Sequence, residues 1–417
     1  MNHGDDANLV IDIEAMLGEA ETSVTDDCCI YRVPFGIRRC NEDAYTPKVV
    51  SIGPFHHNSH PPLLNMQRHK LSYCRAFLQR TQTTSDTWIR YIQSVEPNIR
   101  RCYSVTLPFT KEELVKIIFV DSGFILELFR RYYDQIVLSD DVCLETPWLD
   151  SSIRRDMLLL ENQLPFFVLD HLFNISTSAH AHNLDIPFSQ LTFYYFDYYN
   201  ICKLRFDHHI SIRHFTDLLR TFHLQDPKPP RIPRYNKIES CLPSVTDLSE
   251  AQAARIEVNN ESKCLLDLTF SERVLRIPKL EVNNESAMLF YNMVALEQCH
   301  YPLDCYITDY VQIMYFLINT TTDVDILIEK GVLINWLGDN KSVANLFNGL
   351  CLEIVQINCN QTYFDLAQHW EDFRRLPWNR YRSMMRREYF LNTGVFVSLL
   401  ALYLAIAQTI VSILQLK

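Results

Sequence analysis

Apolar positions recur mainly at three- and four-residue spacing along this chain, a pattern that predicts helices. The segments that carry it are 66–80, 110–133, 154–173, 208–224, 247–255, 286–298, 309–319 and 342–356. The clearest is 110–133. Thr110 and Glu113 form a capping-box pair ahead of Leu114, Ile117, Ile118, Phe119, Phe124, Ile125, Leu126 and Phe129. That helix is apolar on most sides, so it belongs at the centre of a core. The helix predicted over 154–173 contains Pro165, which lacks an N–H and clashes with the carbonyl of Glu161 four residues back, so a kink is expected there. Residues 264–280 alternate more like strands, as in Leu265, Leu266, Leu268 and Phe270. Residues 30–65 read as short extended pieces and turns, punctuated by Val33-Pro34 and Gly53-Pro54. The four prolines within 226–234 mark a linker. Two identical fragments begin at Glu257 and Glu281, each reading Glu-Val-Asn-Asn-Glu-Ser. Two copies are too few for a solenoid.

The two ends differ from the middle. Residues 1–29 hold eight acidic residues and no Lys or Arg, which reads as an acidic, disordered arm and not as a secretory signal. Residues 390–416 contain no charge, and about 20 helical residues cross a bilayer core. Arg374, Arg375, Arg380, Arg382, Arg386 and Arg387 precede that run, and only Lys417 follows it. The asymmetry predicts a single-pass, tail-anchored membrane protein with its N-terminal domain in the cytosol and membrane lipid as a partner.

Composition narrows the function classes. The chain has 417 residues, 47% of them hydrophobic and 21% charged, enough for a large packed core. Its formal charge of −11 argues against a nucleic-acid partner, which demands a basic footprint. Only nine residues are glycine, and no phosphate loop, dinucleotide fingerprint, nucleophile elbow or zincin helix occurs. Thirteen cysteines show no disulfide-scaffold or zinc spacing, and Cys299-His300 with Cys305 reads as core thiols. Asn-x-Ser/Thr sequons occur at Asn174, Asn260, Asn284, Asn319, Asn340 and Asn360; used, they would make the chain an extracellular glycoprotein.

Polar groups inside apolar helices are the odd chemistry. Glu161 and Asn162 sit one turn before Pro165, and Asp121, Glu127 and Glu297 lie on otherwise apolar helices. A buried carboxylate needs a partner, and Arg100, Arg101, Arg154 and Arg155 are candidates. Asp121, Glu127, Glu161, Asn162 and Glu297 are therefore read as a structural polar network, with Glu161 and Asn162 bracing the kink. The alternative is an enzyme that uses Glu161 or Asp121 as a buried general acid. His56, His57, His60 and His69 fall within 14 residues and read as a solvated loop instead of a metal site. No catalytic, metal-ligating or cofactor-binding residue is assigned.

Several ordered motifs together resemble a plant family, the domain of unknown function 247 family (uncharacterised protein family 0481). They are Ile30-Tyr31-Arg32-Val33-Pro34, residues 44–57 with Ser51-Ile52-Gly53-Pro54-Phe55-His56-His57, Ile99-Arg100-Arg101-Cys102-Tyr103, and Phe124-Ile125-Leu126-Glu127-Leu128-Phe129. Farther on come Glu161-Asn162-Gln163-Leu164-Pro165-Phe166-Phe167, Leu275-Arg276-Ile277-Pro278-Lys279-Leu280 and Ala295-Leu296-Glu297-Gln298. The resemblance implies a mainly helical plant protein with a C-terminal anchor and brings no catalytic residues. Grass relatives linked to pollen self-incompatibility extend the implication to recognition or signalling. The fold expected is mainly α with minor β: an arm over 1–29, one large helical domain over 30–390, and a transmembrane helix over 391–417. The function expected is recognition or signalling through protein–protein contacts at a membrane.

Overall fold

The computed structural model describes residues 27–59, 61–135, 141–177, 186–233, 243–250, 254–262 and 264–375. It is mainly helical with some short strands. The chain divides into two compact units: residues up to 38 with 42–199 and 205–219, and residues 39–41 and 200–204 with 220 onward.

The first unit holds helices α1 (Phe35–Arg38), α2 (Pro61–Thr81), α3 (Ser85–Arg101), α4 (Lys111–Asp134), α5 (Val142–Glu145), α6 (Pro147–Asp156), α7 (Phe166–Thr177) and α8 (Phe188–Phe196). The centre is α4. Thr110 caps it, and Glu113 returns the bond to the Thr110 N–H, so the expected capping box is present. It packs against α2, α3, α7 and α8. Phe129 on α4 seats the aromatic core, 4.2 Å from the Tyr195 ring and 5.8 Å from that of Phe188. Gly123 is the point where α4 meets α2: a Cβ there would lie 2.3 Å from Cys74 Sγ and 2.9 Å from Cys74 Cα. The expected kinked helix over 154–173 is instead two helices. Between α6 and α7, residues 157–165 form an irregular crossing. Pro165 precedes α7, where its missing N–H leaves no helical bond unmade.

The second unit holds α10 (Val245–Glu250), α11 (Asn284–His300), α12 (Tyr306–Leu317), α13 (Thr321–Glu329), α14 (Asn340–Leu350) and α15 (Gln361–Arg375); α9 (Phe215–Thr221) leads into it. Its strands are β1 (Arg231–Pro233), β2 (Arg255–Asn259), β3 (Thr269–Ser271), β4 (Val274–Pro278), β5 (Leu280–Val282), β6 (Leu333–Asn335) and β7 (Asn358–Asn360). They pair as β2-β4-β3, β1-β7 and β5-β6. The proline-rich segment thus supplies a strand, with Ile232 opposite Cys359. The helix expected over 208–224 forms only at its end. The two hexapeptides both begin on strands but leave differently. At Asn283 the side chain caps Ser286 N–H and α11 begins, whereas Asn259 accepts from Glu261 N–H and donates to the Asp267 carbonyl, closing a turn.

The membrane expectation is corrected here. Among the described residues no helix is long and apolar enough to cross a membrane. The 24-residue α4 comes nearest in length, but it carries Lys111, Glu112, Glu113, Lys116, Asp121, Glu127, Arg130, Arg131 and Asp134. Residues 391–417 and Arg380, Arg382, Arg386 and Arg387 lie outside the described residues, as does the 1–29 arm apart from its last three positions; Arg374 and Arg375 end α15. The tail anchor, the lipid partner and the single-pass location are therefore supplied by no described helix.

Replacing Gly123 by Ala forces α2 and α4 apart. Overpacking of this kind costs about 1–3 kcal/mol, so thermal denaturation should show Tm lowered by several degrees. An unchanged Tm would mean that the contact at Cys74 is not close.

Candidate functional site

The polar residues of the 157–165 crossing meet an irregular segment of the first unit, residues 48–56, which is buried from Val50 onward. Buried backbone without a strand partner must find its hydrogen bonds elsewhere, and here side chains supply them. Asp156 accepts from the N–H groups of Lys48, Val49 and Val50, at 3.0, 2.6 and 2.9 Å. Asn162 accepts from Ile52 N–H at 2.7 Å and donates to the carbonyls of Val50 and Asp156. Asp121, from α4, accepts from Gly53 N–H at 2.8 Å and pairs with Lys70, whose Nζ donates to the Ser51 carbonyl. Gly53 has φ +72°, and a Cβ on it would stand 2.4 Å from the Gln163 carbonyl oxygen. Both conditions demand glycine. Gln163 itself donates to Met157 and Leu159 carbonyls and accepts from Phe215 N–H.

Glu161 is fully buried. One oxygen accepts from Val33 N–H at 2.9 Å, and the other meets Arg32 Nη1 at 3.0 Å and Arg38 Nη1 at 3.2 Å. His56 Nε2 stands 3.2 Å from that second oxygen, close in charge but without hydrogen-bond alignment. Arg32 also donates to the Phe55 carbonyl and lies 4.4 Å from the centre of the Phe55 ring. Arg38 reaches Thr46. Burial pushes the Glu161 carboxyl up, but His56, the Val33 N–H and the two arginines outweigh it and hold the group below its ordinary range. Burial pushes the His56 imidazole down against the pull of the Glu161 carboxylate. Asp156, whose three donors are all uncharged amides, is pushed up to about 6 by burial, and Asp121 is raised by burial against the pull of Lys70.

The five network residues do not form one cluster. Asp121, Glu161 and Asn162 converge on residues 33–56. Glu127 lies farther along α4 in a second group, accepting from Arg80 at 2.6 Å and Arg131 at 2.7 Å, while Arg131 also holds Asp141. Glu297 belongs to the second unit. There it accepts from Ile307 and Thr308 N–H, from the Thr308 hydroxyl and from Arg220. It therefore caps α12, whose own Cys305 offers no side-chain cap.

The arginines expected as partners are elsewhere. Arg100 is held by Glu96, and Arg154 by Asp150 and the Tyr195 carbonyl. Arg32, Arg38, His56 and Lys70 take those places instead. The signal for them was the repeated company of Arg32-Val33-Pro34 and Gly53-Pro54-Phe55-His56 with apolar neighbours, which a purely solvated loop does not need. Burial of His56 corrects that loop reading; His57 is half-buried, His69 is half-buried on α2, and His60 lies outside the described residues. No group of metal-ligating side chains occurs among the described residues.

Comparisons with known proteins cover these same residues. The family model described as a plant protein of unknown function, DUF247, matches residues 30–407. The chain is similar to the UPF0481 protein At3g47200 of Arabidopsis thaliana, 27% identical over 433 aligned positions that cover 95% of this chain and 88% of the relative. It is also similar to a putative UPF0481 protein of that plant, At3g02645, 32% identical over 195 positions covering 45% of this chain and 35% of the relative. No solved structure matches the chain.

Two substitutions probe the site. Asn162→Ala strands one buried N–H and two carbonyls, and each unmade bond costs about 1–3 kcal/mol; Tm should fall by roughly 5 °C or more. Glu161→Gln removes the charge that faces two arginines and costs about 3 kcal/mol. Because the folded Glu161 pKa is depressed, its stabilisation is complete above about pH 4.3 and lost as pH falls through the folded value. Asp156, raised to about 6, has the opposite slope between about pH 4 and 6. Melting curves from pH 3 to 7 should therefore show that Glu161→Gln flattens the acid limb and leaves the pH 4–6 slope in place. An acid limb identical to that of the natural protein would exclude Glu161 as its source.

Proposed function

The chain belongs to the plant DUF247 family, a family of unknown function, and from that premise we propose that it is a recognition protein that works by protein–protein contact, with the buried carboxylates as its structural frame. The support comes from where polar capacity is used and where apolar surface is left. The Glu161 carboxyl accepts from the Val33 N–H and from two arginines, so protonation there would release the segment that it holds. The second unit, by contrast, exposes large apolar side chains on two segments that hydrogen bonds tie together. Leu352, Val355 and Ile357 are 54%, 73% and 57% exposed, and Leu303 is 59% exposed. Hydrogen bonds gather them: Val355 N–H donates to Gln298, and Asn358 donates to the Leu303 carbonyl. An apolar surface of this kind on a folded domain suits a protein partner.

The experiment is proximity labelling in plant cells with the full chain and with Leu352→Ser, Val355→Ser and Ile357→Ser combined. Surface substitutions of this type change stability by only about 0.5 kcal/mol each, so Tm should stay within a few degrees. At least one labelled protein should drop about tenfold or more. An unchanged labelled set with an unchanged Tm would overturn the reading for this surface.

A further inference from the structure

Two thiols far apart in sequence come together in the second unit. Cys202 sits in the turn 200–204, which Asn200 closes by accepting from Leu204 N–H and donating to its carbonyl. Cys202 N–H donates to the Phe222 carbonyl. Cys264 Sγ points to the carbonyl of the next residue, His223, at 3.6 Å. The two thiols interact with one another beside the adjacent Phe222 and His223 carbonyls that they or their backbone approach. Cys264 is 7% exposed, while Cys202 is half-buried and open to small solutes. Accessibility and a neighbouring thiol partner are what separate an oxidisable pair from inert core cysteines.

We propose that Cys202 and Cys264 form a reversible disulfide, with Cys202 the attacking thiol and Cys264 the resolving one, and a peroxide as the oxidant. The Cys202 thiolate attacks one peroxide oxygen; an S–O bond forms, the O–O bond breaks and hydroxide leaves as water. The Cys264 thiolate then attacks the sulfenic sulfur; the S–S bond forms, the S–O bond breaks and a second water leaves. Two thiols lose two electrons, and the peroxide gains them. The order of attack follows from exposure: half-buried Cys202 meets the oxidant first, and Cys264, buried and with its thiol pushed up by burial, resolves it. A low-molecular-weight thiol restores the pair by exchange. The product would tie the turn 200–204 to the loop that begins at Cys264. Cys29 and Cys102 are an internal comparison: their thiols also interact, but both are only 6% exposed, so peroxide reaches them more slowly.

The full reduced chain, treated with hydrogen peroxide, alkylated and digested, is read by mass spectrometry. The expected product is a peptide linking Cys202 to Cys264, formed at least tenfold faster than one linking Cys29 to Cys102 and reversed by dithiothreitol. Cys264→Ser should leave Cys202 as a sulfenic acid that dimedone traps, and Cys202→Ser should abolish the linkage. The natural chain alone decides the matter if a variant fails to fold. Two unmodified thiols at Cys202 and Cys264, linkage of either to another cysteine, or a dimedone adduct on Cys202 in the natural chain as abundant as in Cys264→Ser would each overturn the proposal.

Discussion

A buried stretch of backbone that belongs to no sheet is the constraint on which the first unit turns. Residues 50–56 run through the interior with Val50 and Ile52 fully enclosed. In such a position each N–H and C=O that lacks a partner costs about 1–3 kcal/mol, and the stretch from Val50 to His56 could not stay inside without them. Helices would satisfy these groups internally, but Gly53 at φ +72° and Pro54 prevent a helix. The solution is side chains aimed from four other elements: Asp156 from the end of α6, Asn162 from the crossing, Asp121 from α4 and Lys70 from α2. The crossing between α6 and α7 is irregular for the same reason. Only a non-helical backbone can present Asp156, Glu161, Asn162 and Gln163 to one surface.

The second unit uses the same device. Glu297 accepts from the first N–H groups of α12, Asp309 from Asn360 N–H at the end of β7, and Asp323 from Asn319, Thr320 and Thr246 N–H groups. In each case an acidic side chain replaces a missing strand or helix neighbour. Arginines then balance the charge where burial is deepest, Arg220 for Glu297 and Arg231 for Asp309. Burial sets the direction where it dominates: Asp309 rises to about 7 even beside Arg231, and Asp156, held by amides without a paired cation, goes to about 6. Glu161, with two guanidinium groups, moves the other way.

How much of this the sequence carried depends on whether the cause was local. The capping box at Thr110 and the apolar run of α4 are local, and both are legible. So is the oddness of Glu161 and Asn162, because a charge inside an apolar run needs an explanation wherever it lies. Their partners were not legible. Arg32 and Glu161 are 129 positions apart, and nothing in helical spacing distinguishes Arg32 from Arg154. Pro165 misled for a related reason. A proline in an apolar run reads equally as a kink or as the residue before a new helix, and only the hydrogen-bonding needs of residues 48–56 favour the second. Strands of three residues escape periodicity altogether, as β1 within the proline-rich segment illustrates. The repeated hexapeptide makes the point most sharply, since identical residues cap α11 in one copy and close a turn in the other, and the difference is set by the chain on their C-terminal side.

This economy of polar groups bears on what such a fold can do. A carboxyl acting as a general acid must gain and lose its proton while its surroundings stay put. Protonation of Glu161 would cost bonds to Val33, Arg32 and Arg38 together, loosening the chain entry at residues 32–38. Groups wired into the backbone in this way resist turnover and favour a single conformation. Freedom remains at the surface, in side chains such as Val355 and Ile357 that no buried network constrains, and at Cys202, whose partner is another thiol instead of the backbone frame. Chemistry or contact there can change without unmaking residues 48–56, and that is the physical ground on which the proposed contact surface rests.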